Sequence, residues 1–339
     1  MKICIKCILP ETFPGIRFDG DGVCNFCANR DGEKAQRLDD DKRRYEKKFR
    51  ELLTHVIVPD NPYDILMAYS GGKDSTYTMS LLKNKYGLRV LAVSLDNGFV
   101  SRTAVANIGK VTDALGIDHM FFKPQWRALR TIFSVAMTRE LYAKKTIERA
   151  STVCTSCIGI VKSICLKMSI EMGIPMVGFG WSPGQAPVQS SIMKTNPSLM
   201  RLSQQAILKP LREIAGDAVE AYFLQERHYA LPDKFPYNVH PMAWEFYEEN
   251  MIIDEIRKLG WTPPDDTDTN SSNCLLNALA NVEHIRRYGF HPYVWEIANM
   301  VRDGVMSRDE GFSKIYSEQP SHLVEHARDK IFGQSQEHP

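Results

Sequence analysis

The sequence predicts an α/β protein built on a doubly wound parallel sheet, with a metal-binding ribbon before the sheet and a helical region after it. Short apolar runs alternate with amphipathic runs across residues 61–215, which is typical of strand–helix units in a parallel sheet covered on both faces. Two closely spaced cysteine pairs precede this region, within residues 1–60. Residues 216–339 show helical periodicity, interrupted by an acidic, proline-containing linker at 262–273.

Four strands and the helices between them follow in order from these patterns. The runs predicted as strands are YDILMAYS (63–70), RVLAVSLDN (89–97), DHMFFKP (118–124) and PMVGFG (175–180). The runs predicted as helices are STYTMSLLKNKYG (75–87), RTAVANIGKVTDALG (102–116) and a long stretch before the fourth strand. Ligands bind at the carboxyl ends of the strands in such sheets, so residues that follow strands are the first site candidates.

Composition limits the class of protein. The chain has 339 residues, of which 43% are hydrophobic, and its 42 basic and 41 acidic side chains leave a net charge of +1. A nearly neutral protein has no uniform field for collecting polyanions, so any nucleic-acid contact would be local. We expect no membrane span, because no apolar run reaches about 18 residues, and no signal peptide in the opening MKICIKC. A cytoplasmic protein is predicted.

The segment YSGGKDST, residues 69–76, has the composition of a phosphate-binding loop. A Walker loop has its hydroxyl residue directly after the lysine, but here Asp74 separates Lys73 from Ser75. That loop type is therefore excluded. The segment still leaves a strand, turns through two glycines and opens a helix, an arrangement in which backbone amides and the helix N-terminus attract an anion.

The cysteines form two sets. Cys4, Cys7, Cys24 and Cys27 have the spacing C-x2-C-x16-C-x2-C, which predicts a four-thiolate zinc ribbon. Near-zero net charge favours a bracing role for this ribbon over nucleic-acid binding.

The second set begins with Cys154 and Cys157, at the start of a predicted helix whose N-terminus should lower their pKa. Two thiols cannot complete a metal site. Cys274, in a polar loop, is the better third candidate, because Cys165 falls on an apolar helix stripe and is expected to be buried packing.

SGGKDS after a strand resembles the pyrophosphate loop of the PP-loop ATP pyrophosphatases, whose sheet is HUP-like. The resemblance implies adenylation of a substrate oxygen by ATP, release of pyrophosphate, and displacement of AMP by a nucleophile. It also implies that Asp74 contacts Mg²⁺. The family's later acidic motif corresponds to GFGWSPGQA (178–186), where Pro183 and Gly184 occupy the acidic positions, which puts a second metal contact in doubt. The residues that it assigns to ATP are Ser70, Gly71, Gly72, Lys73, Asp74, Ser75, Ser94, Asp96, Asn97, Gly178, Gly180 and Lys209.

Over residues 1–215 the chain resembles the tRNA-thiolation branch of that superfamily, in which a zinc knuckle precedes SGGKDS. The resemblance implies a 4Fe-4S cluster held by Cys154, Cys157 and Cys274, with one iron open to hold the incoming sulfide. One departure is that the third cysteine comes much later here, beyond an additional helical insertion.

A second resemblance, over nearly the whole chain, is to the N-acetyl sugar amidotransferases of surface-polysaccharide synthesis. It rests on CIKCILPETFPGIRFDGDGVCNFC, on SGGKDST, and on the tail from NCLLN (273–277) to RDEG (308–311). It implies ammonia from a glutaminase partner in place of sulfur. The internal CxxC is not expected to be needed for ammonia delivery, which places sulfur transfer first.

Other polar and aromatic residues have simpler interpretations. His240, His284 and His291 are expected to be packed or surface histidines, and Tyr288, Tyr293 and Trp295 to be helix-packing aromatics. The turn Trp181–Ser182–Pro183 follows a strand and would either line an acceptor pocket or form a rigid loop. Arg302 and Arg308 would either contact an anionic acceptor or lie on the surface.

The sequence thus predicts ATP-dependent sulfur transfer onto a carbonyl carbon of a nucleobase, nucleotide or similar small molecule. The expected cofactors are ATP, Mg²⁺, Zn²⁺ and an iron–sulfur cluster, and the expected partners are a sulfur donor or a glutaminase. A sugar nucleotide is the acceptor if the second resemblance holds. Transfer RNA is less favoured, and a homodimer is expected. The alternative of another class is a zinc-ribbon nucleic-acid-binding or scaffold protein with a degenerate ATP site.

Overall fold

The computed structural model of the protein describes residues 1–29 and 33–333, with side chains described outside 33–36. Its centre is a sheet of six strands. The strands are β1 (Ile65–Ala68), β2 (Val90–Leu95), β3 (Asp118–Phe122), β4 (Met176–Phe179), β5 (Ile192–Lys194) and β6 (Tyr237–Val239). The helices are α1 (Asn25–Ala28), α2 (Glu33–Val56), α3 (Lys73–Ser80), α4 (Arg102–Leu115), α5 (Trp126–Thr138), α6 (Lys144–Ile147), α7 (Thr152–Met172), α8 (Pro197–Ala215), α9 (Glu226–Tyr229), α10 (Glu249–Arg257), α11 (Asn277–Tyr288), α12 (Val294–Arg302), α13 (Arg308–Tyr316) and α14 (Ser321–Phe332).

The strand order is β3-β2-β1-β4-β6-β5, and every neighbouring pair is parallel except β5 with β6. Strand β1 lies between β2 and β4, with Ala68 in register with Val93 on one side and Phe179 on the other. The chain reverses its direction of winding at β1, and the crevice at such a switch point is where α/β sheets bind ligands. The predicted fold class is confirmed.

The sheet extends further than predicted. Strand β6 lies within the region predicted to be helical, after residue 215, and pairs with β4. Strand β5 adds an antiparallel edge. Each has only three residues, which is too short for an alternating pattern to be recognised in sequence.

The two faces of the sheet carry different helices. Met67 and Met176 face a core that includes Met79 of α3 and Ile108 of α4. Leu66 and Val177 face α7 on the other side, together with Cys165. The buried apolar residues on both faces explain why the central strands read as continuous apolar runs.

Helix α7 is long and apolar enough to cross a membrane by length and composition, which the sequence analysis did not anticipate. In the structure, 56% of its most apolar window is buried inside the protein. It packs against β1, β4, α5 and α11. Its apolar character is therefore explained by packing at the centre of the protein.

The N-terminal segment packs on the C-terminal helices. The ring of Phe13 stacks on Trp295 of α12, with centroids 5.3 Å apart and planes at 7°, and the hydroxyl of Tyr316 donates to the Ile8 carbonyl at 2.8 Å. Arg308 donates to the carbonyls of Cys7 and Cys4, both at 3.1 Å. The N-terminal segment and helices α12 and α13 thus form one apolar cluster.

Candidate functional site

The loop of residues 70–75 connects β1 to α3 and has the predicted strand–turn–helix context. Gly71 has φ +76°, and a Cβ there would lie 2.6 Å from the carbonyl oxygen of Ala104. At Gly72 a Cβ would lie 2.7 Å from Ser272 Oγ. The two glycines are therefore required for a left-handed turn and for close approach. The Lys73 amide, at the first turn of α3, donates to Ser272 Oγ at 3.0 Å.

Lys73 and Asp74 face a small network of charged and phenolic groups. Lys73 Nζ donates to the Tyr247 hydroxyl at 2.6 Å and lies 3.1 Å from Asp74 Oδ1 and 3.7 Å from Glu249 Oε2. Tyr247 in turn donates to Asp74 Oδ1 at 3.3 Å. Burial and the neighbouring carboxylates raise the Tyr247 pKa well above its usual value, so this phenol remains a donor. Sequence reasoning missed Tyr247, whose segment has no motif.

The two predicted glycines, one inside β4 and one directly after it, have different environments. A Cβ at Gly180 would lie 2.4 Å from Ser75 Cα and 2.6 Å from Ser75 N, so this glycine lets the β4 turn contact the loop directly. Gly178 lies inside β4, paired with Met67 and Val239. Its backbone belongs to the sheet, and the prediction that it donates to a phosphate is therefore not supported by its position.

The residues at the end of β2 that were predicted to bind nucleotide lie in different environments. Ser94 lines the cavity, donates to the Tyr69 carbonyl at 2.6 Å and lies 2.8 Å from His119 Nε2. Asp96 instead caps the turn by accepting from Gly98 N at 2.8 Å, and pairs with Lys123 at 3.4 Å outside the cavity lining. The side chain of Asp96 is therefore a turn cap in this structure.

Lys209 does not reach the site. It is exposed on α8, a helix whose buried residues are Gln204 and Leu211. Helix α8 packs on α5 and α7, on the face of the sheet away from α3. The prediction that Lys209 lies near the phosphates is corrected by this placement.

Cys154, Cys157 and Cys274 line the same cavity as the loop, and its volume is about 700 Å³. The first two lie in the opening turns of α7, where Ser151 Oγ accepts from the Cys154 amide at 3.1 Å. The amide of Asn97 donates from Nδ2 to Cys157 Sγ at 3.5 Å and to Cys274 Sγ at 3.7 Å. Asn97, predicted to contact nucleotide, thus contacts two thiols.

The thiols of this set are not acidified. Burial raises the pKa of Cys154, that of Cys157 to about 12 and that of Cys274 to about 11. Desolvation is the largest cause for each of the three thiols, and its direction is opposite to the expected lowering. Metal binding would reverse this balance, because a coordinating thiol is deprotonated.

Cys165 lies apart from this set. It is 1% exposed and packs among Leu66, Val93 and Val177. It does not line the cavity. The third thiol at the cavity is therefore Cys274.

The three cavity thiols fit a cluster better than a single ion. In the described part of the chain, only the N-terminal group Cys4, Cys7, Cys24 and Cys27 places its ligand atoms within 4.8 Å of one another. Ligands of a cubane bind different irons and stand farther apart than ligands of one ion. The three cavity thiols line one cavity but do not all lie within 4.8 Å of one another, so they do not form a compact site for a single ion.

The N-terminal cysteines fit a zinc ribbon. Cys4 Sγ lies 3.9 Å from Cys27 Sγ, and Cys7 Sγ lies 3.8 Å from Cys24 Sγ. All four are buried. The hydrogen bond with Cys27, together with the nearby Arg302 charge, lowers the Cys7 pKa to about 5. The ligand atoms of all four lie within 4.8 Å of one another, and compact four-cysteine sets of this kind bind a metal ion.

Glu296 is a cavity residue that sequence reasoning missed. Its carboxylate accepts from Ser182 Oγ, and from Gln185 Nε2 at 3.2 Å. Burial raises its pKa to about 7. A Cβ at Gly184 would lie 2.4 Å from the Glu296 carbonyl oxygen, so the turn after β4 packs directly on α12. The sequence feature that could have indicated this site is a glutamate next to the apolar residues Ile297 and Met300 of the same helix.

The structure also gives the positions of the other aromatic, arginine and histidine residues named from the sequence. Tyr293, expected to be a packing aromatic, lines the cavity and donates to Asn277 Oδ1 at 2.8 Å. Arg302 donates to Cys7 Sγ at 3.5 Å, so it contacts the ribbon, as Arg308 does. Trp181 lines the cavity. His240 stacks on it at 3.9 Å, and the three histidines 240, 284 and 291 are buried, as expected for packed residues.

Comparison with known proteins gives distant relatives. No protein-family model matches the chain. A protein of Methanocaldococcus jannaschii of uncharacterized function is 22% identical over 93% of each chain. Among the solved structures similar to the present chain, two have a TM-score of 0.38 each. The U34-tRNA thiolase NcsA of Methanococcus maripaludis, with its 4Fe-4S cluster, is 15% identical over 99% of this chain and 90% of that one. The NMN synthetase of Francisella tularensis is 11% identical over 88% and 98%.

Proposed function

We propose that the protein is an ATP-dependent PP-loop enzyme that adenylates a carbonyl or amide oxygen, releases pyrophosphate, and then transfers sulfur onto a nucleobase, nucleotide or similar small molecule. One observation carries this proposal. The loop of residues 70–75 and the thiols of Cys154, Cys157 and Cys274 line a single cavity. An activation site and a set of soft ligands in one chamber match a reaction with an activation step and a displacement step.

The loop supplies the activation step. Its backbone amides and the N-terminus of α3 would bind the β and γ phosphates, and Lys73 would exchange its contacts with Asp74 and Glu249 for phosphate oxygens. Asp74 would then be free to contact Mg²⁺, which proteins hold through one or two carboxylates plus substrate phosphates. Ser94 and Gly180, at the ends of β2 and β4, would flank the nucleotide at the switch point.

Cys154, Cys157 and Cys274 would hold the iron–sulfur cluster, which would bind sulfide from a sulfur donor as the nucleophile that replaces AMP. Asn97 would donate to two of these thiolates, an outer contact of the kind that orients metal ligands. Cys4, Cys7, Cys24 and Cys27 would hold Zn²⁺, which would brace the N-terminal segment against α12 and α13.

Sugar amidotransfer is the second candidate. The tail that resembles the amidotransferases supplies part of the cavity wall, through Tyr293, which precedes α12, and Glu296 of α12. Both reactions activate an acceptor oxygen in the same way, and they differ in the nucleophile and in the acceptor that carries this oxygen. A glutaminase partner and a sugar-nucleotide acceptor belong to this alternative. The cytoplasmic location and the homodimer remain predictions.

Anaerobic purification separates the two candidates. We expect a brown protein that contains iron and acid-labile sulfide in addition to zinc, and Cys157→Ala should lose the iron while it keeps the zinc. A colourless wild-type protein that holds zinc alone would contradict the sulfur-transfer proposal and favour amidotransfer. Lys73→Met should in either case weaken ATP binding in calorimetry, and unchanged binding would contradict the activation step.

A further inference from the structure

Lys162 is a lysine of the cavity wall to which the proposed reaction gives no role. It follows Cys154 and Cys157 along α7, and all three line the cavity. Lys162 lies five positions after Cys157, which corresponds to about 7.5 Å along the helix axis. Its ammonium lies 4.3 Å from the centroid of the Trp181 ring and 5.9 Å from that of Phe179.

This ammonium has no counter-charge in the described part of the chain. No described carboxylate oxygen lies within 4.0 Å of it, whereas the other cavity lysines are paired, Lys73 with Asp74 and Lys314 with Glu249. Burial lowers the Lys162 pKa to about 8, so the group is still mostly protonated at neutral pH. A desolvated charge without a partner is strongly unfavourable, and one that faces a cavity can be compensated by a ligand.

The aromatic neighbours keep the ammonium in place. An aromatic face attracts a cation but leaves its N–H groups free to donate. His240 stacks on Trp181 with planes at 9°, which fixes the indole. Trp181 directly follows Gly180, whose backbone contacts Ser75 of the loop. Lys162 therefore contacts the residue next to the glycine that packs on the phosphate loop, and it lines the same cavity as the thiols.

We propose that Lys162 forms an anion-binding subsite of the cavity, which takes a phosphate or carboxylate group of a bound ligand. Trp181 and His240 are its positioning residues. The inference rests on the proposed function only for the identity of the anion. This anion is either the α-phosphate of the nucleotide or an acidic group on the acceptor. The loop amides and Lys73 serve the terminal phosphates, so Lys162 adds a second, separate cation.

Calorimetric titrations with adenosine, AMP and inorganic phosphate test this subsite. The variants are Lys162→Gln and Lys162→Met, the second of which keeps an apolar stem over Trp181. The matched control is Lys167→Gln, on the same helix but outside the cavity lining. If the anion is the nucleotide's, both Lys162 variants should lose about tenfold in AMP affinity and little in adenosine affinity, which is the loss of about one charged hydrogen bond.

If the anion is the acceptor's, AMP affinity should stay unchanged. Inorganic phosphate or acetate added to the AMP-saturated protein should then bind the wild type and the control but not the Lys162 variants. Equal binding of all probes by wild type and variants overturns the subsite. A wild type that binds neither adenosine nor AMP contradicts the proposed function instead, and the titration of the nucleotide-free protein with phosphate still tests Lys162. Thermal unfolding checks that each variant is folded.

Discussion

Val100 and Cys274 face each other in an antiparallel bridge, although they lie far apart in the sequence. Ser101 donates to the Asn273 carbonyl at 2.9 Å, and Leu275 donates to the Phe99 carbonyl at 2.8 Å. The short pairing ties the segment after β2 to the polar loop before α11. It places the Cys274 thiol beside Cys157, with the Asn97 amide in contact with both.

Cys274→Ala is predicted to remove the iron–sulfur cluster, because two thiolates remain at the cavity. Cys165→Ala is the matched control, since Cys165 is buried away from the cavity. The control should retain its iron and lose only stability, by about 1 kcal/mol for a small buried side chain. Iron analysis after anaerobic reconstitution measures the difference. Equal iron in the two variants would show that Cys274 is not a ligand.

Asn97→Asp is predicted to weaken cluster retention. Aspartate keeps an oxygen that accepts from the Phe99 amide, as Asn97 Oδ1 does at 2.8 Å, but it cannot donate to the two thiolates and adds a negative charge. Outer contacts of this kind are worth about 10–100-fold in metal affinity. The rate of iron loss to a chelator should rise while the melting temperature changes little. An unchanged rate would leave Asn97 with a turn-forming role alone.

Glu296→Gln is predicted to change how stability depends on pH. Burial raises the Glu296 pKa from 4.5 to about 7, so the folded state holds this proton more tightly than the unfolded chain. The resulting stability is full below pH 4.5 and is lost as the pH rises through about 7. The loss is at most about 3 kcal/mol, reduced by solvent in the cavity.

Thermal unfolding between about pH 5 and about pH 8 measures this effect. The wild type should lose stability relative to Glu296→Gln across that range, since glutamine stays neutral. Parallel curves for the two proteins would show that Glu296 is ionised with an ordinary pKa.

Gly180→Ala is predicted to disrupt the ATP site. The added Cβ would lie 2.4 Å from Ser75 Cα, and backbone atoms cannot move aside as the end of a flexible side chain can. The loop must shift, so we expect a loss of ATP affinity of at least about tenfold and reduced stability. Gly109→Ala is the control, because nothing lies within 4 Å of its Cβ position in α4. Its ATP affinity should equal that of the wild type.

Arg308→Met is predicted to loosen the ribbon without removing its metal. The arginine donates to the carbonyls of Cys4 and Cys7 and contributes no metal ligand. We expect a loss of about 1–3 kcal/mol in the free energy of unfolding, because two buried carbonyls lose a charged donor. Zinc content should be unchanged. Loss of the zinc would mean that docking on α13 is needed to form the metal site.

The local features of this protein could be predicted from its sequence. The loop at 70–75, the four main strands and the cysteine ribbon depend on short-range patterns: a turn that needs glycine, an apolar period and a fixed ligand spacing. Asp74 between Lys73 and Ser75 was enough to exclude a Walker loop. Strands β5 and β6 were not predicted because three residues are too few to show an alternation of apolar and polar side chains.

The tertiary structure decided which distant residues share the cavity. The Val100–Cys274 bridge selects Cys274 over Cys165, the docking of α12 on Gly184 brings Glu296 to the site, and Trp181 holds the unpaired Lys162. Lys209 and Asp96 occupy positions that a motif would assign to ATP, but the fold places both residues outside the cavity lining. These outcomes depend on packing between elements far apart in the chain, and such contacts leave no periodicity or spacing in the sequence.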